Sequence, residues 1–109
     1  MATSFKMKKL SNFILCPHHR ELTSEIVEQE KRKFIVTAGV LEYPNNTEYW
    51  VIVFVLDRKG KPESVGFLKE EKTEGHVIHE AEVIANALRK KMFIYNEKEK
   101  KVIDLVDLL

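Results

Sequence analysis

The stretch Tyr49-Trp50-Val51-Ile52-Val53-Phe54-Val55-Leu56 is apolar at every position. Side chains of a strand alternate between two faces, so an unbroken apolar run predicts a strand covered on both. Asp57-Arg58-Lys59-Gly60-Lys61-Pro62 follows, a charged turn with the Gly and Pro punctuation of a hairpin. Residues 63–69 then return as the partner strand, and residues 76–92 close the unit as a helix. The rest of the chain must be organised around this unit.

Upstream, residues 33–43 alternate. Phe34, Val36, Ala38 and Val40 point one way, and Ile35, Thr37, Gly39 and Leu41 the other. Tyr43-Pro44-Asn45-Asn46-Thr47 supplies a turn, and its Asn45-Asn46-Thr47 match to a glycosylation acceptor reads as part of that turn. These connections are too short for crossovers, so the three strands form an antiparallel meander. In the helix, Val77, Ala81, Ile84, Leu88 and Met92 make an apolar stripe with Ala85 beside it. His79, Glu82, Asn86 and Arg89 face away, and Arg89-Lys90-Lys91 places cations at the end the helix dipole favours.

Residues 20–33 predict a weaker helix. Pro17 suits its start, Leu22 and Ile26 share a face, and Glu28 and Arg32 pair at i,i+4. Thr23, Ile26 and Val27 leave an extended alternative open. Residues 1–12 read as a loose arm, 13–15 and 93–95 as short strands, 96–101 as a charged turn and 102–109 as an apolar tail. The expectation is a single α+β domain: an antiparallel three- or four-stranded sheet packed by one strong and one weaker helix. Helices on one face leave the other for a partner or solvent.

The 109 residues are enough for one domain with its own core, and the net charge of +1 makes whole-molecule attraction to nucleic acid weak. No apolar run approaches the ~18 residues a membrane-spanning helix needs. The N-terminal lysines lack an apolar stretch behind them, and one Cys cannot build a disulfide framework. An intracellular, cytoplasmic setting is the expectation.

The segment Val77-Ile78-His79-Glu80-Ala81-Glu82-Val83-Ile84-Ala85-Asn86-Ala87-Leu88-Arg89 is similar to the L-V-H-P-R-E-V-F-R-E-A-L-R stretch of the RadC-type branch of the JAB/MPN family. Val55-Leu56-Asp57-Arg58-Lys59-Gly60-Lys61 resembles that branch's L-L-D-T-K-N-R, at a similar distance upstream. In the family, a following strand carries H-x-H-P-S-G and a later Asp, which bind zinc and activate water. Here Phe93-Ile94-Tyr95-Asn96-Glu97-Lys98 stands in that place, without a His. The resemblance implies a scaffold or binding role, with the metallo-hydrolase centre missing.

Four constellations carry chemistry. The four His and the single Cys fall in two clusters, Cys16-Pro17-His18-His19 and His76-Val77-Ile78-His79. His76 and His79 share a helix face, and Cys16 with His18 or His19 would complete a tetrahedral zinc site if the segments met. No cofactor is the first expectation and zinc the alternative. Asp57, Glu70 and Lys72 are candidates for a magnesium-dependent nuclease centre, acids holding the ion and Lys polarising water. Asp57 is equally at home in a hairpin turn for its local hydrogen bonds.

Basic clusters occur at Lys31-Arg32-Lys33, Arg58-Lys59-Gly60-Lys61 and Arg89-Lys90-Lys91. The first two could lie at opposite ends of the sheet, so they need not form one patch. The element order also resembles double-stranded RNA-binding domains, which open their last helix with phosphate-gripping lysines. Glu74, His76, His79, Glu80 and Glu82 stand there instead. Tyr43, Tyr49 and Trp50 around the Pro44 turn either stack on a ligand or cap the core. No Ser-His-Asp order, Gly-rich phosphate loop or Cys-His nucleophile pair is present.

The balance favours a non-catalytic binding or regulatory module with a protein partner or a second copy of itself. A homodimer would form through a free sheet edge or the apolar tail. The alternatives are a metal-dependent hydrolase or nuclease, and a nucleic-acid-binding domain using Arg58, Lys59 and Lys61 with the aromatic residues. No membrane partner is expected.

Overall fold

The computed structural model describes residues 19–104. β1 (His19–Gln29), β2 (Arg32–Tyr43), β3 (Asn46–Leu56) and β4 (Pro62–Glu71) form an antiparallel sheet in chain order. α1 (Glu74–Arg89) follows, and β5 (Phe93–Asn96) pairs with β6 (Lys101–Asp104) in a separate two-stranded sheet. The architecture is α+β. No helix among the described residues is long and apolar enough to cross a membrane.

β2 and β3 pair without a register shift from Phe34↔Val55 to Tyr43↔Asn46, leaving Pro44 and Asn45 to turn the chain. The apolar run of β3 is buried from Trp50 to Leu56, as its composition requires. One face of the sheet presents Val27, Phe34, Val36, Ala38, Val51, Val53 and Val55 to α1. The helix answers with Val77, Ala81, Ile84, Ala85 and Leu88, all buried. Met92, the last residue of the predicted stripe, lies beyond the helix and is 48% exposed.

The ends of α1 have identifiable caps. Thr73 is the N-cap, its Oγ1 accepting the His76 N–H at 3.1 Å. At the C-terminus the Met92 N–H donates to Ala87 O and the Lys91 N–H to Leu88 O. This paired closure needs a left-handed residue, and Lys91 supplies it at φ 59°.

Residues 20–33 do not form a helix. They make β1 and enter β2, with Val27↔Phe34, Glu25↔Val36 and Gln29↔Arg32 paired across the strands. The extended alternative wins because the Glu28–Arg32 helix pair is worth only ~0.2–0.5 kcal/mol. An antiparallel ladder to β2 satisfies the backbone groups of β1 that face it and seats Val27 in the core. A bulge between Glu21 and Thr23 breaks simple alternation near Leu22. Elsewhere, the strand expected at 93–95 runs from Phe93 to Asn96, and Lys101 of the predicted turn joins 102–104 of the predicted tail as β6. The short strand at 13–15, the arm at 1–12 and residues 105–109 lie outside the described residues.

The β5–β6 hairpin packs on the helix side of the sheet. Phe34 meets Tyr95 edge-on at 5.7 Å, and Phe67 meets Phe93 at 5.8 Å. β6 approaches β4 at Gly66, where a Cβ would lie 3.0 Å from Val55 Cγ2 and 3.2 Å from Val102 Cγ2. Gln29 ties β1 to both neighbours, its Nε2 donating to Leu88 O at 2.8 Å and Phe93 O at 2.7 Å.

The other sheet face was expected to await a partner or solvent. Instead Leu41, Trp50, Ile52, Phe54 and Leu56 are buried there, with Ile35, Val65 and Leu68 against them.

Two substitutions test this packing. Gly66→Ala forces Val102 away from β4 and is expected to cost about 1–3 kcal/mol in chemical denaturation. Lys91→Gly removes the left-handed penalty and is expected to stabilise by roughly 1 kcal/mol.

Candidate functional site

In a meander, alternate turns fall at the same end of the sheet. The β1–β2 turn at Glu30 and Lys31 and the β3–β4 turn at residues 57–61 therefore lie together. An open cleft of about 660 Å³ separates them. Lys31, Arg32 and Lys33 line one wall, Asp57, Arg58 and Lys59 the other, with Leu56 and Glu97 between. The first two basic clusters, which the sequence left free to lie at opposite ends of the sheet, thus form one patch. The reason is topological: Arg32 and Lys33 open β2, whose Phe34 pairs with Val55 near the end of β3.

The third cluster arrives at the same end. α1 begins beyond the far end of β4 and runs back, so its C-terminus meets the β1–β2 turn. Lys91 Nζ lies 3.6 Å from Glu30 Oε1, and Arg89 Nη2 lies 3.0 Å from Glu25 Oε2. The β5–β6 turn adds Lys98 and Lys100, joined to the patch through Glu97.

Arg32 holds these turns together. Its Nε and Nη2 donate to Glu97 Oε1 and Oε2 at 2.9 and 3.0 Å, a two-pronged carboxylate pair. Nη1 donates to Glu63 Oε2 at 3.2 Å and to Leu56 O at 3.3 Å. The guanidinium carbon sits 5.4 Å from the centroid of the Tyr95 ring. Hydrogen bonding from Arg32 holds the Glu97 carboxyl below its ordinary range. Burial pushes the Tyr95 hydroxyl above its ordinary range, against the opposing pull of Arg32.

Several acids at this end are thereby engaged. Glu63 and Glu97 serve Arg32, and Glu30 faces Lys91. Asp57 Oδ1 accepts the N–H groups of Lys59 and Lys61, both at 2.9 Å, which shapes the turn. Lys31, Lys33, Arg58, Lys59 and Lys61 form no ion pair among the described residues, and all five are exposed. The opposite end gathers Glu42, Glu48, Glu70, Glu71 and Glu74.

The other candidates are dispersed. Asp57 stands at the basic end, whereas Glu70 pairs with Trp50 near the other end of β3, with Lys72 just beyond β4. Six intervening strand residues put Asp57 roughly 20 Å from Glu70. His76 and His79 are exposed on the first turns of α1, at the acidic end. His19 opens β1, while Cys16 and His18 lie outside the described residues. Among the described residues no group of three or more His, Cys, Asp or Glu side chains is placed to hold a metal.

The aromatic residues separate in the same way. Tyr49 packs in the helix-side core and Trp50 in the opposite cluster, its Nε1 donating to Glu48 Oε1 at 3.1 Å. Tyr43 is exposed at the end of β2. They form no common stacking platform.

Sequence reading did not identify Gln29, Glu63, Tyr95 or Glu97 as partners. Arg32 and Glu97 are 65 residues apart, beyond any local pattern. The parity of meander turns was the signal available for the patch. Comparison with protein-family models, with curated proteins and with solved structures yields no match.

The Arg32–Glu97 pair has a defined pH signature. A carboxyl held low in the folded state stabilises fully above its unfolded pKa, about 4.3, and loses that contribution as pH falls through the folded value. Melting temperatures of the native protein and Glu97→Gln should differ at neutral pH and converge at more acid pH. Added salt should also narrow the gap, since the pair is solvent-accessible.

Proposed function

We propose that this protein is a non-catalytic module that binds the phosphate backbone of nucleic acid through its basic end. The observation that carries the reading is the convergence of two separate basic clusters on one open cleft whose carboxylates, Asp57 and Glu97, are already engaged. Cations left without internal partners attract a polyanion and release its counterions on contact. The cleft is open and flanked by exposed lysine heads, which suits an elongated partner better than an enclosed small molecule.

Backbone contact is favoured over base reading. The aromatic ring nearest the cleft, Tyr95, lies beneath Arg32 and packs on Phe34. Arg32 itself is occupied by Glu63 and Glu97, so it shapes the surface while the lysines and Arg58 make contact. Such a surface grips phosphate with little sequence preference.

A binding role also accords with the partial JAB resemblance. β5 occupies the place where that family carries its histidines, and here it is tied to Gln29 and Phe34 through Phe93 and Tyr95. The dispersion of Asp57, Glu70 and Lys72 likewise favours binding over a magnesium-dependent reaction.

Fluorescence anisotropy with labelled mixed-sequence oligonucleotides at increasing salt tests the proposal. Binding should weaken linearly on a log–log plot, and Lys31→Ala with Lys59→Ala should reduce the slope by about two. Lys72→Ala, at the other end of the molecule, should leave it unchanged. Absence of binding at about 50 mM salt, or equal affinity of the double variant, overturns the reading.

A further inference from the structure

The sheet face opposite α1 poses a separate question. At its centre Ile52 is 0% exposed and Trp50 6%, and Leu41 beside them is also buried. Yet the described elements outside the sheet all lie on the other side: α1, and β5–β6 through Phe93, Tyr95 and Val102. Side chains on an uncovered sheet face keep one side open to water. Ile26 shows what that looks like here, since it belongs to the same face on edge strand β1 and is 65% exposed. No element among the described residues lies over the centre of this face.

Two segments remain. Residues 105–109 follow β6, whose Val102 is packed on the helix side against Gly66 and Val55. Residues 1–18 are longer and carry Phe5, Met7, Leu10, Phe13, Ile14 and Leu15. They also enter the fold beside this area, because His19 pairs with Leu41. We propose that residues 1–18 dock on this face over Leu41, Trp50, Ile52 and Leu68, making the second half of the core intramolecular. The nucleic-acid reading does not enter into this inference.

Trp50 is the single tryptophan of the chain and lies within the docking surface, so it reports the contact directly. In full-length protein with Cys16→Ser, Ser11→Cys is labelled with a nitroxide and Trp50 emission is measured. A label at Val83→Cys, on the exposed side of α1, is the control. Docking predicts strong quenching by the label at position 11 and little by that at position 83. It also predicts that the quenching persists on dilution and with excess unlabelled protein. Equal, weak quenching from both positions overturns the proposal. Quenching that disappears on dilution or on adding unlabelled chain also overturns it, and assigns the cover to a second copy. Each measurement uses the full chain, so none depends on a truncated protein folding.

Discussion

Burial of β3 on both faces is the constraint on which the other elements depend. An alternating strand can leave one side to water, but residues 50–56 of β3 have no polar side to offer. β2 and β4 therefore flank it along its length, and α1 closes one face with a stripe of small and medium side chains. Ala81 and Ala85 permit close approach of helix and sheet, and Gly66 does the same for β6 against β4. The opposite face carries a second apolar cluster, over which no element among the described residues lies.

Polar contacts then fix how the peripheral pieces sit. Gln29 spends its amide on the last turn of α1 and on β5, linking a sheet edge to the helix end. Arg32 engages two carboxylates, a carbonyl and an aromatic ring drawn from β3, β4, β5 and the turn that follows it. A single exposed ion pair contributes ~0.2–1 kcal/mol, so these contacts do not drive folding. Their effect is positional: they bring the turns together and occupy nearby acids, leaving lysines and Arg58 exposed around the cleft. The proposed nucleic-acid surface is a consequence of that arrangement.

Local patterns revealed β2, β3, β4 and α1 because each has one strong periodicity. Phe34 to Leu41 alternate, 49–56 are uniformly apolar, and Val77 to Leu88 repeat at helical spacing. The segment at 20–33 was ambiguous because its bulge near Leu22 interrupts alternation while Glu28 and Arg32 mimic a helical pair. Its neighbour β2, rather than its own propensity, decided its conformation. The basic patch was not legible for a related reason: turn parity, not position in the chain, sets which charge clusters meet.

The sequence by itself determined a doubly covered central strand, the meander around it and the face that α1 buries. These follow from side-chain polarity at short spacing, which needs no knowledge of distant residues. Tertiary structure alone decided the strand state of β1, the seat of the β5–β6 hairpin and the convergence of basic turns around Arg32. Those features depend on pairs such as Gln29 with Phe93 and Arg32 with Glu97, more than sixty residues apart. Chain closure over such distances is paid in conformational entropy and recovered through the cooperative burial of the whole sheet, so no local stretch encodes it.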